Sequence, residues 1–482
     1  MKLSQLLADV EIVSTNVDMD MEVSGVSCDS RKVQPGDLFV AVVGYATDGN
    51  KYIPMAQEKG AKVVVSAMPG EGEAYVQVRS DRQALAQIGA NFYGHPTRKM
   101  TMIGVTGTNG KTSTTLLLKH VLETVLDAKV GLVGTMENHI GDLVMPAERT
   151  TPESLELQGL FARMESAGCT YAIMEVSSHA IALDRIMGIH YDVCAFTNLT
   201  EDHLDFHKTM ENYGAEKAKL FSRCNKAVIN ADDEWAGMME RGANCPVLTT
   251  AQEKEACLRA EDAQLRSDGV TFTAVYGEEK AKVSLPIPGK FTVYNALCVL
   301  GIALQLGLPL DAAAKALATA KGVKGRVEVV PTPGKPYTVL IDYAHTPDGL
   351  YNVLSSVKGY CKGRLIALFG CGGDRDPMKR PIMGKIGTDI ADIAILTSDN
   401  PRTEDPNKIL QDVLQGVDPS KTNYVVMENR PKAIQYAMDI GQKDDIIVLA
   451  GKGHETYQEI CGVKYPMDER DIVQACLAER EE

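Results

Sequence analysis

The sequence predicts an α/β protein built as three successive segments, and three observations carry that prediction. Short apolar runs recur along the 482 residues, and most of them end in polar, glycine-rich turns. Helical patterns separate these runs, which is the rhythm of a mostly parallel sheet covered by helices. The chain is also too long for one ordinary core, so several domains are expected. The segments are expected at residues 1–98, 99–325 and 326–482.

The first segment closes near His95-Pro96-Thr97 and reads as a small α/β unit. Its strand-like runs are Leu38–Val43 and Val63–Val65, with a helical stretch near Tyr52–Lys59. Asp29-Ser30-Arg31 and Pro35-Gly36-Asp37 are turn signals that, standing alone, suggest only structure. The second segment opens on the apolar pair Met102-Ile103 and alternates further strands near 129–133, 172–176, 194–197 and 227–229 with helical stretches. Lys321–Arg326 reads as a linker. In the third segment four strands run into polar loops: Thr338–Ile341 into Asp342-Tyr-Ala-His345, and Arg364–Phe369 into Gly370-Cys-Gly-Gly-Asp374. Ala394–Thr397 leads into Ser398-Asp-Asn-Pro-Arg402, and Asp445–Ala450 into Gly451-Lys-Gly-His-Glu455. Chemistry in such sheets gathers at the carboxyl ends of the strands.

Composition removes several function classes. Hydrophobic residues make up 44% and charged residues 24%, as in ordinary globular proteins. A formal net charge of -14, with no basic stripe, argues against a nucleic-acid partner. No apolar run approaches membrane-spanning length, and Met1–Val10 lacks the apolar core of a signal peptide. The 11 cysteines are scattered without a Cys-x-x-Cys pair and read as reduced thiols of a cytoplasmic protein. Most read as buried small hydrophobes; Cys371, within a glycine-rich turn, stands apart from them, but no motif marks it as a nucleophile.

The strongest chemical signal is Gly104-Val-Thr-Gly107-Thr108-Asn109-Gly110-Lys111-Thr112-Ser113, between an apolar run and a helical pattern. Backbone N–H groups in such a loop point inward, and the helix that follows adds its positive end. Lys111 is placed to reach the outer phosphates of a nucleoside triphosphate and Thr112 to hold Mg²⁺. Counted from Gly104, the spacing is one residue longer than the common phosphate-loop pattern. Glu175 ends a strand and precedes Ser177, Ser178 and His179. It suits a Mg²⁺ ligand, although a helix cap at Ser177 or Ser178 explains the same stretch.

Asp202-His203-Leu-Asp205-Phe-His207 clusters histidines and carboxylates just after a strand. His203 is a candidate second metal ligand, with a self-satisfied His/Asp network as the alternative. The spacing does not suit structural zinc. Lys217 falls in a helical pattern and, by composition, reads as a solvated surface lysine. Asn295 is read at a helix start, where an adenine contact and a backbone hydrogen bond are equally open. Arg375, Arg402 and Glu455 sit in three strand-end loops, a pattern that suits an amino acid held at its carboxylate and its ammonium.

Taken together, Gly107–Thr112, Thr150-Thr-Pro-Glu153, Glu175-Val-Ser-Ser-His179, Asp202-His203, Asn295, Gly325-Arg-Val-Glu328, Asp342-Tyr-Ala-His-Thr-Pro347 and Asp399-Asn-Pro-Arg402 resemble the Mur ligase family over essentially the whole chain. The resemblance implies a UDP-precursor-binding first domain, a central P-loop ATPase-like parallel sheet and a C-terminal Rossmann-like domain. It implies ATP-dependent amide formation: a carboxylate of the nucleotide precursor becomes an acyl phosphate, and an incoming amine displaces phosphate. Carried over by position, Gly107, Thr108, Asn109, Gly110, Lys111, Thr112, Ser113, Asn295, Arg326, Asp342 and His345 serve ATP, and Thr112, Glu175 and His203 serve Mg²⁺. Lys217 resembles a lysine that family members carbamylate with CO₂, against the surface reading. Ser30, Thr150, Thr151, Ser177 and Arg185 look like contacts to UDP-N-acetylmuramoyl-L-alanyl-D-glutamate.

Arg375, Asp399, Asn400, Pro401, Arg402, Gly451 and Glu455 match the positions around the incoming amino acid. The Asp-Asn-Pro-Arg form resembles the members that add meso-2,6-diaminopimelate, whose second carboxylate needs a cation such as Arg402. The alternatives are the L-lysine-adding members, folylpolyglutamate synthase and a non-enzymatic ATP switch. The protein is expected to act as a monomer in the cytoplasm.

Overall fold

The computed structural model describes residues 1–44, 47–70, 74–266 and 268–478. By compactness the chain forms two units, residues 1–250 with 301–308, and residues 251–300 with 309–482. Among the described residues no helix is long and apolar enough to cross a membrane.

The first unit contains two sheets. The smaller orders its strands Ile12–Thr15, Tyr75–Val78, Val63–Ser66, Leu38–Ala41 and Val26–Ser27. All pairs are parallel except the edge pair of Ile12–Thr15 with Tyr75–Val78. Leu38–Ala41 and Val63–Ser66 are buried at every position, as strands covered on both faces must be. Ser80 caps the helix Asp81–Phe92, which lays Ala84, Leu85 and Ile88 on this sheet.

The larger sheet runs Val247–Ala251, Cys224–Asn230, Tyr191–Phe196, Thr101–Thr106, Tyr171–Glu175, Val130–Val133, Glu137–Ile140 and Leu143–Pro146. Its first six strands are parallel, and a hairpin the sequence pattern did not announce closes the edge. The parallel register brings the carboxyl ends Thr106, Glu175 and Phe196 to one edge.

Gly104 belongs to the strand Thr101–Thr106 and not to the loop. A Cβ there would stand 3.1 Å from the Tyr191 ring, so glycine serves packing between neighbouring strands. The extra residue counted from Gly104 is therefore strand. The glycines that turn the chain are Gly107 and Gly110, at φ 149° and 85°.

The second unit begins with an antiparallel meander, Leu258–Arg266, Gly269–Tyr276 and Glu279–Leu285, whose last strand alternates exposed and buried residues. A six-stranded sheet follows, ordered Glu328–Val330, Thr338–Asp342, Ile446–Ala450, Leu365–Phe369, Ile393–Leu396 and Tyr424–Val426. All pairs are parallel except the edge pair of Glu328–Val330 with Thr338–Asp342. Helices Pro347–Lys358, Lys379–Ile390 and Pro406–Leu414 cover one face through Leu350, Leu354, Met383 and Leu410. Helices Arg430–Ile440 and Glu469–Ala478 cover the other through Ala433, Ile434 and Val473. The four strand-to-loop passages expected in this segment all form, with ends shifted by a residue.

One ion pair is sealed in this second cover. Arg430 Nε donates to Glu469 Oε1 at 2.8 Å, and Arg430 Nη2 donates to Ala450 O at 2.8 Å, with both side chains 0% exposed. Ala450 is the last residue before the loop at Gly451. Arg430→Met leaves a buried carboxylate unpaired and is expected to cost about 3–5 kcal/mol in thermal or urea unfolding. Arg430→Met combined with Glu469→Leu recovers most of that loss. A double variant as unstable as the single one contradicts this assignment.

Candidate functional site

The glycine loop is built at the carboxyl end of a buried strand and braced from its neighbour. Thr108 N donates to Asn198 O at 2.8 Å, Asn109 N to Asn198 Oδ1 at 2.9 Å, and Thr197 Oγ1 to Asn109 O at 2.6 Å. The helix Lys111–Leu126 then starts from Gly110, so its free N–H groups face the loop mouth. Lys111 Nζ donates to the carbonyls of Gly107 and Thr108, both at 2.8 Å. Ser113 lies in the first turn of the same helix.

Glu175 is fully buried and organises the floor of the site. Its Oε2 accepts from Thr112 Oγ1 at 3.0 Å and from Thr135 Oγ1 at 2.8 Å, while Oε1 accepts from Thr135 N at 3.0 Å. Ser177 caps the short helix Ser178–Ala182, as the capping reading of this stretch expects. Thr135 carries no motif, and sequence reasoning missed it.

Lys217 departs furthest from its composition. The helix Met210–Ala218 buries it to 1% exposure, and its Nζ donates to Gly107 O at 2.9 Å while lying 4.6 Å from the centre of the Tyr213 ring. Burial, with the charge of Lys111 next, holds its ammonium well below the ordinary lysine range. The surface-lysine reading is therefore corrected: this amine faces the loop and is inclined to be neutral.

His203, at φ 54°, has Nε2 3.4 Å from Asp202 Oδ2 and its ring edge-on to His179 at 4.8 Å. Burial lowers its pKa, as do the charges of Lys111 and Lys217, while Asp202 opposes them. Among the described residues no hydrogen bond joins His203 to Thr112 or Glu175. His207 is buried with Nε2 2.8 Å from Ser178 Oγ, a partner outside the expected His/Asp stretch.

A second group forms beside Glu175. Thr150 Oγ1 lies 3.1 Å from Thr135 Oγ1, which can accept its proton, Thr151 Oγ1 donates to Glu175 O at 2.8 Å, and Ser177 N donates to Thr151 Oγ1 at 3.1 Å. Arg185 pairs with Glu153 at 2.9 Å and donates to Thr151 O at 3.1 Å, and among the described residues its buried Nε has no partner. Thr150, Thr151, Ser177 and Arg185 are thus brought together. Arg82 joins them through Glu153 at 3.5 Å, a contact no sequence signal announced. Ser30 is buried in the smaller sheet's unit, its Oγ 3.4 Å from Met55 Sδ.

In the second unit the loops after Leu396 and Ala450 interlock. Lys452, fully buried, donates from Nζ to Asn400 Oδ1 and to Glu455 Oε2, both at 2.7 Å. Asn400 Nδ2 donates to Glu455 Oε2 at 2.9 Å. Gly451 stands at φ 115°, and a Cβ there would lie 2.6 Å from Asp399 Oδ2, so this close approach requires glycine. Pro401 is buried, and Arg402 follows at φ 50°. Arg402 Nη1 donates to Gly373 O at 2.7 Å, and its Nε lies 3.3 Å from Glu459 Oε2. A Cβ on Gly372 would meet Arg402 Nη1 at 2.9 Å and Arg375 Cγ at 3.8 Å, so the two arginines share one mouth, Arg375 being exposed.

Asp342 is buried, and both its oxygens accept backbone N–H groups, from Val327 at 2.8 Å and Ala344 at 2.7 Å. Arg326 lies over the Tyr343 ring at 5.0 Å, and His345 Nδ1 is 2.8 Å from Tyr343 O. Asn295 lies in the second turn of the helix Lys290–Gln305 rather than at its start. Cys371 is buried, and burial pushes its thiol up to about 12, so it is no nucleophile.

Known proteins share this organisation. Residues 22–93 match the profile described as "Mur ligase family, catalytic domain", residues 105–303 the "Mur ligase middle domain", and residues 325–453 the "Mur ligase, glutamate ligase domain". A curated protein of Clostridium botulinum is 47% identical over 95% of this chain and 96% of its own length. The chain belongs to the Mur ligase family. That relative is named UDP-N-acetylmuramoyl-L-alanyl-D-glutamate--2,6-diaminopimelate ligase, as is one from Caldanaerobacter subterraneus, 48% identical over 100% of both chains. A solved Mur ligase structure under the same name superposes with a TM-score of 0.73 at 32% identity, covering 100% of this chain and 99% of the other. Mur ligases are ATP-dependent, which agrees with the glycine loop of this chain.

The His207 environment makes a pH prediction. Burial first, then the charges of His179 and Lys217, push its pKa from 6.5 down to about 4. A depressed histidine contributes stability that is complete above the unfolded pKa and is lost as pH falls through 6.5 toward 4. His207→Gln is expected to flatten the acid side of the melting temperature against pH. An unchanged acid slope contradicts this.

Proposed function

We propose that this Mur ligase joins meso-2,6-diaminopimelate to UDP-N-acetylmuramoyl-L-alanyl-D-glutamate, using ATP, in peptidoglycan synthesis. The observation that carries the choice of amino acid is the Arg402 mouth. Arg402 lies against Glu459, Arg375 shares its mouth at Gly372, and Asn400 of the same loop holds Glu455, a set of charges that complements a zwitterion bearing an extra carboxylate. The names of the relatives support the same substrate pair.

The division of work follows the segments: residues 1–98 for the UDP end with Ser30, 99–325 for ATP and the reacting carboxylate, and 326–482 for the amino acid. The N–H groups of Gly107–Ser113 and Lys111 hold the phosphates, with Asn295, Arg326, Asp342 and His345 assigned to the rest of the nucleotide. Thr150, Thr151, Ser177 and Arg185 hold the muramoyl-dipeptide end. The unpartnered Arg185 Nε is a donor suited to a carboxylate. Asp399, Asn400, Pro401 and Gly451 shape the diaminopimelate loops. A carboxylate is a poor acyl donor, and its attack on the γ-phosphorus gives an acyl phosphate whose phosphate then leaves as the amine adds.

Mg²⁺ fits the donors at the floor. Thr112 Oγ1 and Glu175 Oε2 are hard oxygens 3.0 Å apart, and His203 is assigned beside them. Among the described residues no group of three or more His, Cys, Asp or Glu side chains forms a cage, and Mg²⁺ held chiefly by phosphate oxygens needs none. When bound, it neutralises charge on the phosphates. Lys217, buried and depressed, is suited to add to CO₂ as a free amine and lose a proton, giving an N6-carboxylysine carboxylate. Action as a monomer in the cytoplasm completes the proposal, and eleven cysteines held as thiols suit a reducing compartment.

Arg402→Ala is expected to lower kcat/KM for diaminopimelate on the order of 100-fold, the scale of a lost charge-assisted contact. The KM for the UDP precursor should stay unchanged. Equal loss for both substrates, or unaltered preference over L-lysine, contradicts the assignment. In ¹³C-bicarbonate the protein should show a carbamate carbon signal that Lys217→Ala removes. A signal that persists in Lys217→Ala places the modification elsewhere.

A further inference from the structure

The first unit carries a second constellation that the ligation chemistry does not use. Cys224 opens the strand Cys224–Asn230 and Cys245 lies just before Val247–Ala251, both at amino ends of the sheet, opposite the glycine loop. Their sulfurs are 3.6 Å apart, and Phe221 O accepts from both, at 3.5 Å and 3.9 Å. Cys224 is buried and Cys245 half-buried. A third thiol, Cys194, lies on the adjacent parallel strand Tyr191–Phe196.

The position of this pair in the fold gives it a consequence. The helix Met210–Ala218, which carries Lys217, runs through the turn Lys219–Arg223 directly into Cys224. The helix Ala236–Gly242 ends just before Cys245. The two helices touch closely there, since a Cβ on Gly242 would lie 2.6 Å from Ala218 O.

We propose that Cys224 and Cys245 form a redox-sensitive dithiol that a peroxide closes into a disulfide, stapling the helix of Lys217 to the helix Ala236–Gly242. Cys224 is the attacking sulfur. The neighbouring Cys194 thiol, the largest influence, brings the Cys224 thiol down to about 7 against the opposing effect of burial, while burial lifts Cys245 to about 12. The Cys224 thiolate attacks a peroxide oxygen, the O–O bond breaks, and the departing hydroxide takes a proton to become water. The Cys245 thiol then attacks the Cys224 sulfenic sulfur, the S–O bond breaks, and a second water leaves with the Cys245 proton. Two thiols are oxidised and one peroxide is reduced. The bridge would constrain the unfolded chain and raise stability without touching the phosphate loop.

Lys226 and Arg241 separate the two cysteines into different tryptic peptides, so the link is directly readable. Full-length protein is treated with hydrogen peroxide, alkylated, digested without reductant and mapped by mass spectrometry. The expected result is a cross-linked peptide pair containing Cys224 and Cys245, absent after dithiothreitol and absent in Cys245→Ser. The oxidised wild type should melt higher than the reduced protein, and Cys245→Ser should show no such rise. The proposal is overturned by separate alkylation of both cysteines under peroxide that oxidises exposed Cys257, or by a link that forms with no rise in melting temperature.

Discussion

Two lysine amines converge on one carbonyl oxygen, that of Gly107, from Lys111 at 2.8 Å and from Lys217 at 2.9 Å. The rest of the candidate site is arranged around this convergence. Lys111 at a helix N-terminus, with loop N–H groups beside it, makes an anion-seeking position. The burial of Lys217 depresses its ammonium by desolvation first, and the neighbouring charge of Lys111 adds to the effect. Glu175 answers below with a fully buried carboxylate held by Thr112 and Thr135. Positive charge for the nucleotide and hard oxygen for a cation are thus built before any substrate enters.

The second unit solves a different problem with the same means. On the proposed function, its loops present charge of both signs to a small zwitterion without collapsing onto themselves. A buried Lys452 ties Asn400 to Glu455, and the Arg430–Glu469 pair anchors the strand end at Ala450. Gly451 lets Asp399 approach, and the left-handed Arg402 turns its guanidinium toward Gly373 and Glu459. Rigid strands thus carry the loops, and the loops carry the specificity.

Much of this was legible in the sequence, for identifiable reasons. Strand-to-glycine-loop passages announce themselves because apolar runs and turn residues are local signals. The phosphate loop was legible for the same reason, although Gly104 misled the count: its role is contact with Tyr191, a partner distant in sequence. Lys217 was illegible from its own surroundings. Its helix reads as solvated, and only the fold brings the glycine loop over it. Thr135 and Arg82 act through side chains supplied by other elements, so neither stands in a motif. The meander at 258–285 and the hairpin at 137–146 were missed because alternation in short strands is weak beside helical periodicity.

The central claim is that a carboxylate of the UDP precursor is phosphorylated before the amine attacks. The most direct measurement uses a precursor labelled with ¹⁸O in the reacting glutamate carboxylate, turned over with ATP and diaminopimelate. The account predicts that one ¹⁸O appears in the released inorganic phosphate for each amide formed. Unlabelled phosphate accompanying full amide formation would contradict it.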